Sequence, residues 1–390
     1  MKQLNRIAVF AITALSLTAC QKQSEILSPK TNSIDDAAFT STNGSEFDAS
    51  SSKHVYTLSN QVSGNAVLDY VRASDGKLTY STAYATGGTG TGGGLGNQGA
   101  VILAEEDDNV LLAVNPGSNS ISSFKVSDNG LQLKSTVNSG GMRPVSITQH
   151  GNIVYVLNAG GAGNISGFKL SNNNKLNPIA NSERALSSSA SGAAQISFVN
   201  EGRVLVITEK ATNKIITYTV NEWGIPGTMH SITSANATPF GFAAGKNGNI
   251  FVSEAAGGAA GASTLSSYRV YDNGVITLTK GPVGANQSAA CWVVITDNGK
   301  YAYTTNTASN NISNFNVSRN TGNLSVNTAI AATTGMGPID AALSNNSKYL
   351  YTVNAGSHTI GAYAVDNNGS LSSVQIIAGL PVGATGLAAR

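Results

Sequence analysis

One strand pattern recurs seven times along this chain, and that recurrence constrains the fold more than any other feature. Each copy holds a short apolar strand ending in Asn or Glu, a turn, a strand of the form Ile-x-x-Phe/Tyr-x-Val, and an Asn-Gly or Asp-Gly type hairpin. Two copies show it most clearly. Tyr351-Thr352-Val353-Asn354 leads to Ile360-Gly361-Ala362-Tyr363-Ala364-Val365, and Tyr303-Thr304-Thr305-Asn306 leads to Ile312-Ser313-Asn314-Phe315-Asn316-Val317. Repetition at intervals of roughly 43–56 residues, with β-branched and aromatic alternation and no helical period, is the signature of propeller blades. The expectation is an all-β chain: a seven-bladed β-propeller of four-stranded blades.

The repeats share landmarks that set the blade register. Second strands are anchored at Tyr56, Leu112, Tyr155, Leu205, Phe251, Tyr303 and Tyr351, and end in Asn60, Asn115, Asn158, Glu209, Glu254, Asn306 and Asn354. Third strands place Phe124, Phe168, Tyr218, Tyr268, Phe315 and Tyr363 at one position. Hairpins follow, among them Asp75-Gly76, Asp272-Asn273-Gly274 and Asn367-Asn368-Gly369, where positive φ is tolerated. Innermost strands are marked by a Gly/Pro approach and small apolar residues, as in Arg143-Pro144-Val145-Ser146-Ile147 and Pro338-Ile339-Asp340-Ala341-Ala342. The last segment, Pro381 to Ala388, has that look with no second strand after it, and His54 begins a second strand with no innermost one before it. The C-terminal strand is therefore expected to complete the first blade and close the ring, removing an exposed edge.

The N-terminus speaks to location. Lys2 and Arg6 form a basic region, Ile7 to Leu17 an apolar stretch too short to span a bilayer, and Leu17-Thr18-Ala19-Cys20 a lipoprotein cleavage box. The reading is a signal peptide over 1–19, lipidation at Cys20, a flexible tether over 20–53 poor in apolar residues, and a propeller over 54–390. Acyl chains on Cys20 would be the only link to a membrane. Gln21 after the cysteine resembles the pattern for outer-membrane sorting, so the expected location is the bacterial cell envelope.

Charged residues make up 11% of the chain, against about a quarter in ordinary proteins. Removing Lys2 and Arg6 leaves 21 basic against 21 acidic residues, a mature net charge of zero. A neutral, charge-poor surface argues against nucleic acid as a partner, and a monomer is expected. Cys291, between Ala290 and Trp292, reads as a small buried hydrophobe.

The Tyr-Val-x-Asn strand, the Ile-x-x-Phe/Tyr-x-Val strand and the Asp297-to-Tyr303 linker together resemble the seven-bladed lactonase-like propellers. That family includes bacterial 6-phosphogluconolactonases and fungal carboxymuconate cyclases, and shades into YVTN-repeat surface proteins. The resemblance covers about residues 54–390 and implies a site on one face of the ring, where second-to-third-strand turns and the loops entering each innermost strand converge.

Arg143, Glu209, Glu254, Gln287, Asp340 and His358 are expected on that face. Opening or closing a lactone needs a general base and donors that stabilise carboxylate and oxyanion charge. Glu209 and Glu254 stand in adjacent blades where other blades carry Asn, which makes them candidates for the base or solvated rim residues that replace a turn cap. Arg143 is the candidate to hold a substrate carboxylate. Gln287, Asp340 and His358 are candidate substrate contacts. His358 has Asn119, Asn213 and Asn310 as repeat equivalents, so it is first a turn residue. The Gly87–Gly96 run lacks the strand-to-helix context of a phosphate loop and reads as a flexible loop near the channel mouth. Glu105-Glu106-Asp107-Asp108 reads as a solvated turn with calcium as the lesser reading. No cofactor and no metal are expected.

The chain departs from the family at the Gly-Pro-His entry to an innermost strand. Its equivalents read Arg143-Pro144-Val145, Thr238-Pro239-Phe240 and Gly337-Pro338-Ile339, with no histidine in any blade. A phosphorylated sugar lactone is therefore not expected. Two functions remain: a cell-envelope lactone hydrolase or cyclase acting on a small lactone, carboxylate or ester, and a non-catalytic surface propeller that binds glycan or protein.

Overall fold

The computed structural model describes residues 53–104 and 109–390. The signal peptide, Cys20, the tether up to residue 52 and the Glu105–Asp108 turn lie outside the described residues. Seven antiparallel sheets form the ring, each with an innermost, second, third and outer strand. The innermost strands are Val101–Leu103, Met142–His150, Ala193–Val199, Pro239–Ala244, Ala290–Ile295, Pro338–Leu343 and Thr385–Ala389. Among the described residues the only helix is the single turn Ala256–Gly258.

Closure follows the expected route. Thr385–Ala389 pairs with Lys53–Leu58, with Tyr56 opposite Ala388 and Leu58 opposite Thr385, so the two ends of the ring share one sheet and the second strand of the first blade is covered. The first strand starts at Lys53 rather than His54. Blade 3 departs from the pattern at its rim, where two short pieces, Leu176–Pro178 and Arg184–Ala185, both pair with Asn164–Leu170.

The anchors that set the register also fasten the blades to one another. Tyr155, Tyr303 and Tyr351 are buried, and their hydroxyls donate to Gly224 O at 2.6 Å, Gly369 O at 2.9 Å and Gly76 O at 2.9 Å. Each acceptor belongs to the hairpin of the next blade. The aromatic ring fills the space between two sheets while its polar tip satisfies a turn carbonyl.

Two features of every blade shape the central channel. A residue at the entry to each innermost strand, within two positions of its first residue, has positive φ: Gly99, Arg143, Gly192, Thr238, Ala289, Gly337 and Gly383. In blades 4 to 7 its carbonyl accepts the N–H of the residue that follows the second strand or its equivalent; Lys210 to Gly192 at 3.1 Å and Thr307 to Ala289 at 2.9 Å are examples. In six blades the register with the second strand then slips, between Pro144 and Ser146, Ala193 and Gln195, Pro239 and Phe242, Ala290 and Trp292, Pro338 and Asp340, and, in the closing blade, Thr385 and Ala388. A bulge re-aims side chains. Here it sets Gln195, Trp292 and Asp340 around the axis.

Candidate functional site at the channel mouth

The glycine-rich segment was expected to be a flexible loop, and the structure corrects that expectation. Its first half is tied to Asn60, whose Nδ2 donates to Gly93 O at 2.7 Å and whose Oδ1 accepts from Thr91 N at 2.9 Å. Its end crosses the channel and closes it. Gln98 donates its N–H to Ala194 O at 3.1 Å in blade 4 and pairs its amide with Val293 in blade 6, Nε2 to O at 2.9 Å and N to Oε1 at 3.2 Å. Asn97 donates to Val145 O in blade 3 and accepts from Trp292 Nε1 at 2.7 Å. Gly241 makes room for this plug, because a Cβ there would fall 2.0 Å from Gln98 Oε1.

Above the plug lie two cations. Arg143, the second residue of the innermost strand of blade 3, has φ +52°, a region that costs an L-residue about 1–2 kcal/mol. Five of the other six blades fill that position with Gly or Ala, and one with Thr. The guanidinium Nε of Arg143 is buried and has no hydrogen-bond partner. Lys210 follows the second strand of blade 4, where the other blades carry Gln61, Pro116, Ala159, Ala255, Thr307 and Ala355. Its Nζ lies 4.7 Å from the centroid of Phe240 and donates to Gly96 O of the plug. Phe240 in turn packs on Trp292, centroids 4.9 Å apart. Among the described residues neither cation forms an ion pair. Burial, and next the charge of Arg143, pull the Lys210 amine down to a pKa of about 7.

The two glutamates come to adjacent blades as expected, but both are 0% exposed, which rules out the solvated-rim reading. Glu254 accepts five hydrogen bonds: from Ser234 Oγ at 2.8 Å, Tyr268 Oη at 2.9 Å, Asn236 N at 3.2 Å, Thr264 Oγ1 at 2.5 Å and Ser266 Oγ at 2.7 Å. Glu209 accepts from Ser187 N at 2.9 Å, Thr212 Oγ1 at 2.5 Å and Ser187 Oγ. In the Asn blades the same position ties the third strand by donating instead: Asn115 Nδ2 to Ser122 Oγ at 2.8 Å, and Asn306 Nδ2 to Ser313 Oγ at 2.8 Å. At Glu254 the Glu-for-Asn exchange thus reverses the polarity of that tie, with Ser266 of the third strand now the donor.

A family model described as a lactonase, seven-bladed beta-propeller, matches residues 45–185 and 272–386. The chain belongs to this lactonase propeller family. No curated protein matches it. Among solved structures, a candidate 6-phosphogluconolactonase from Bacteroides uniformis is similar at TM-score 0.67 and 18% identity, over 86% of this chain and 99% of that one. A second from Bacteroides fragilis is similar at TM-score 0.68 and 16% identity, over 89% and 100%. The periplasmic gluconolactonase of Pseudomonas aeruginosa is similar at TM-score 0.64 and 15% identity, over 86% and 99%. At these identities the likeness shows the fold alone.

The remaining candidates of this lactonase-family chain separate. Gln287 is on the mouth face, but its Oε1 accepts from Asn311 Nδ2 at 2.6 Å, so the amide is engaged in its own loop. His358 has φ +55°, matching +52° at Asn119, +54° at Asn213 and +56° at Asn310, which makes it the turn residue of blade 7. Asp340 is not at the mouth; it borders a cavity beneath the plug. Lys210 escaped the sequence reading, although it is the one cation at its repeat position and that signal was available by lining up the blades.

Proposed function

We propose that this lactonase-family propeller is a cell-envelope lipoprotein that hydrolyses, and in reverse closes, a small organic lactone at the plugged mouth. The observation that carries the reading is the pair Arg143 and Lys210, two cations at inner positions that other blades fill with uncharged residues, with no carboxylate among the described residues paired to either. The guanidinium, always protonated, is suited to hold a ring carbonyl oxygen or a carboxylate. A lysine with a pKa near 7 is a free amine in about half of the molecules at neutral pH, which suits it to general-base work.

The step balances with these groups alone. Water attacks the ring carbonyl carbon and its proton passes to Lys210 Nζ. The negative charge on the carbonyl oxygen lies against Arg143. The ring C–O bond then breaks and the Lys210 ammonium returns the proton to the leaving oxygen, giving a hydroxy acid. In this scheme Glu209 and Glu254 shape the loops that carry the chemistry; Lys210 directly follows Glu209 in the chain.

Lys53 enters on the face of the second-strand starts, opposite the mouth. An acylated Cys20 upstream would therefore tether the ring from behind, leaving the mouth open to solutes of the envelope. Proton release by the mature domain against a panel of neutral and carboxylated lactones tests the reading. Turnover that Lys210→Met and Arg143→Met remove, in folded protein, supports it. Absence of turnover across the panel moves the assignment to a surface propeller that binds glycan or protein.

A further inference from the structure

The mouth leaves Asp340 unused. It is 2% exposed, in the third position of Pro338–Leu343, where the register slip turns that strand toward the axis. Its Oδ1 accepts the N–H of Ala341 at 2.8 Å, and the backbone N–H of Leu387 also lies against the carboxyl. Its Oδ2 is buried and has no partner. Asp340 borders a cavity of about 190 Å³ that begins under Gln98 and Gly99 and runs down the lower channel, away from Arg143 and Lys210. Among the described residues no other ionisable side chain lines that cavity.

The walls narrow the chemistry of an occupant. Ile102, Leu103, Ile196 and Leu387 make much of the lining apolar, and Thr148 and Ser197 add two hydroxyls. The amides of Gln98, Gln149 and Gln195 also border it; Gln98 is engaged with Val293, Gln195 with Phe242 at 3.0 Å and 2.6 Å, and Gln149 Nε2 donates to Gly151 O. One carboxyl in a low-dielectric space balances one positive charge; a divalent ion would leave an excess charge buried. An alkali ion needs several oxygen ligands, and the amide oxygens of Gln98 and Gln195 are engaged. A primary ammonium brings a single charge and three donors, enough for Oδ2 and the hydroxyls, and a short alkyl body to lie on the aliphatic wall.

We propose that the lower channel is a second ligand site, separate from the mouth, which takes a small primary alkylammonium on Asp340. Ligand-free, the desolvated carboxyl keeps its proton, since burial raises its pKa well above the usual carboxylate value. The incoming ammonium replaces that proton as the balancing charge. At about 190 Å³ the space holds a chain of a few carbons.

Thermal unfolding and titration calorimetry of the mature domain test this, with methyl-, ethyl- and butylammonium chloride against NaCl, KCl and tetramethylammonium chloride at equal ionic strength. The expected result is a saturable rise in melting temperature with butylammonium, roughly 4 °C at a hundred times its dissociation constant, and no such rise in Asp340→Asn. Should that variant fail to fold, Ser197→Leu, which narrows the cavity from another wall, must remove the rise instead. A rise that persists in the variant, an equal rise with sodium or potassium, or no ammonium-specific rise in folded protein would each overturn the proposal. Lactone turnover measured on the same samples reports on the mouth, so failure of one reading is separable from failure of the other.

Discussion

The backbone N–H of Arg143 donates to Asn119 Oδ1 at 2.7 Å, and both residues hold left-handed backbone at φ +52°. Thr238 with Asn213 and Gly337 with Asn310 repeat the contact at 2.7 Å. An Asn in one blade therefore fixes the entry to the innermost strand of the next. Blade 3 uses this device to hold a large cationic side chain where Gly would sit without strain.

Arg143→Gly should separate stability from function. Relief of left-handed strain is worth about 1 kcal/mol, partly offset by the greater backbone freedom of glycine in the unfolded chain. The expected result is a midpoint of urea unfolding equal to or above the parent's, together with a loss of lactone turnover of 100-fold or so if the guanidinium holds the developing oxyanion. Asn119→Ala should do the reverse in stability, losing about 1–2 kcal/mol through the missing hydrogen bond and the strained turn. A stability loss in Arg143→Gly would show the side chain to be structural.

Much of the architecture was legible because each blade restates it. The strand ends from Asn115 to Asn354, the third-strand aromatics and the hairpins are local patterns, and seven copies make each visible. The closing strand was legible for the same reason, as a leftover fragment on either end. The plug was not: Gln98 meets Val293, a partner 195 positions away, and nothing local in a Gly-rich run announces that contact. The burial of Glu254 depends on hydroxyls at Ser234, Thr264 and Ser266, donated by three loop and strand positions that look like ordinary polar surface in the sequence. Asp340 was placed on the right strand, but its depth in the channel depends on the plug above it.

Glu254→Gln tests whether that carboxylate is a tie. A glutamine can keep its oxygen on the backbone N–H of Asn236 and turn its NH2 toward the hydroxyls of Thr264 and Ser266, but every bond that the charged carboxylate strengthened becomes a neutral one. A loss of about 1–3 kcal/mol is expected in urea unfolding. Lactone KM in the folded fraction should stay within about threefold of the parent, a shift of under 1 kcal/mol. A collapse of kcat at unchanged stability would return the residue to the chemistry.

Asp340 sets a pH dependence on stability. Its folded-state pKa is raised by burial, so above the unfolded value of 3.8 the folded chain keeps a proton that the unfolded chain has lost. Stability contributed by this group is present below about pH 4 and falls as pH rises toward the folded-state pKa, by about 1.4 kcal/mol for each unit of upward shift. Asp340→Asn removes that slope. Urea midpoints taken from pH 4 to pH 7 should therefore converge on, or drop below, the variant's as pH rises, and parallel curves would refute the buried neutral carboxyl.

Lys210 should write its own titration into the rate. Desolvation and Arg143 favour the free amine, which is the form that can take a proton from water. kcat/KM is therefore expected to rise through about pH 7 and level off above it, and the limb should vanish in the residual activity of Lys210→Met. Lys210→Arg keeps the charge but cannot lose its proton, so it should keep substrate affinity while losing turnover. Stability carries the opposite signature to Asp340: the unfolded lysine stays protonated up to about 10.5, so between pH 7 and that value the unfolded state binds more protons and stability rises with pH. Removing Arg143 lifts one of the two causes of the depressed pKa, and the rate limb in Arg143→Met, where activity remains measurable, should move upward. A limb that stays at pH 7 in both variants would assign it to a different group and leave Lys210 as an anion contact alone.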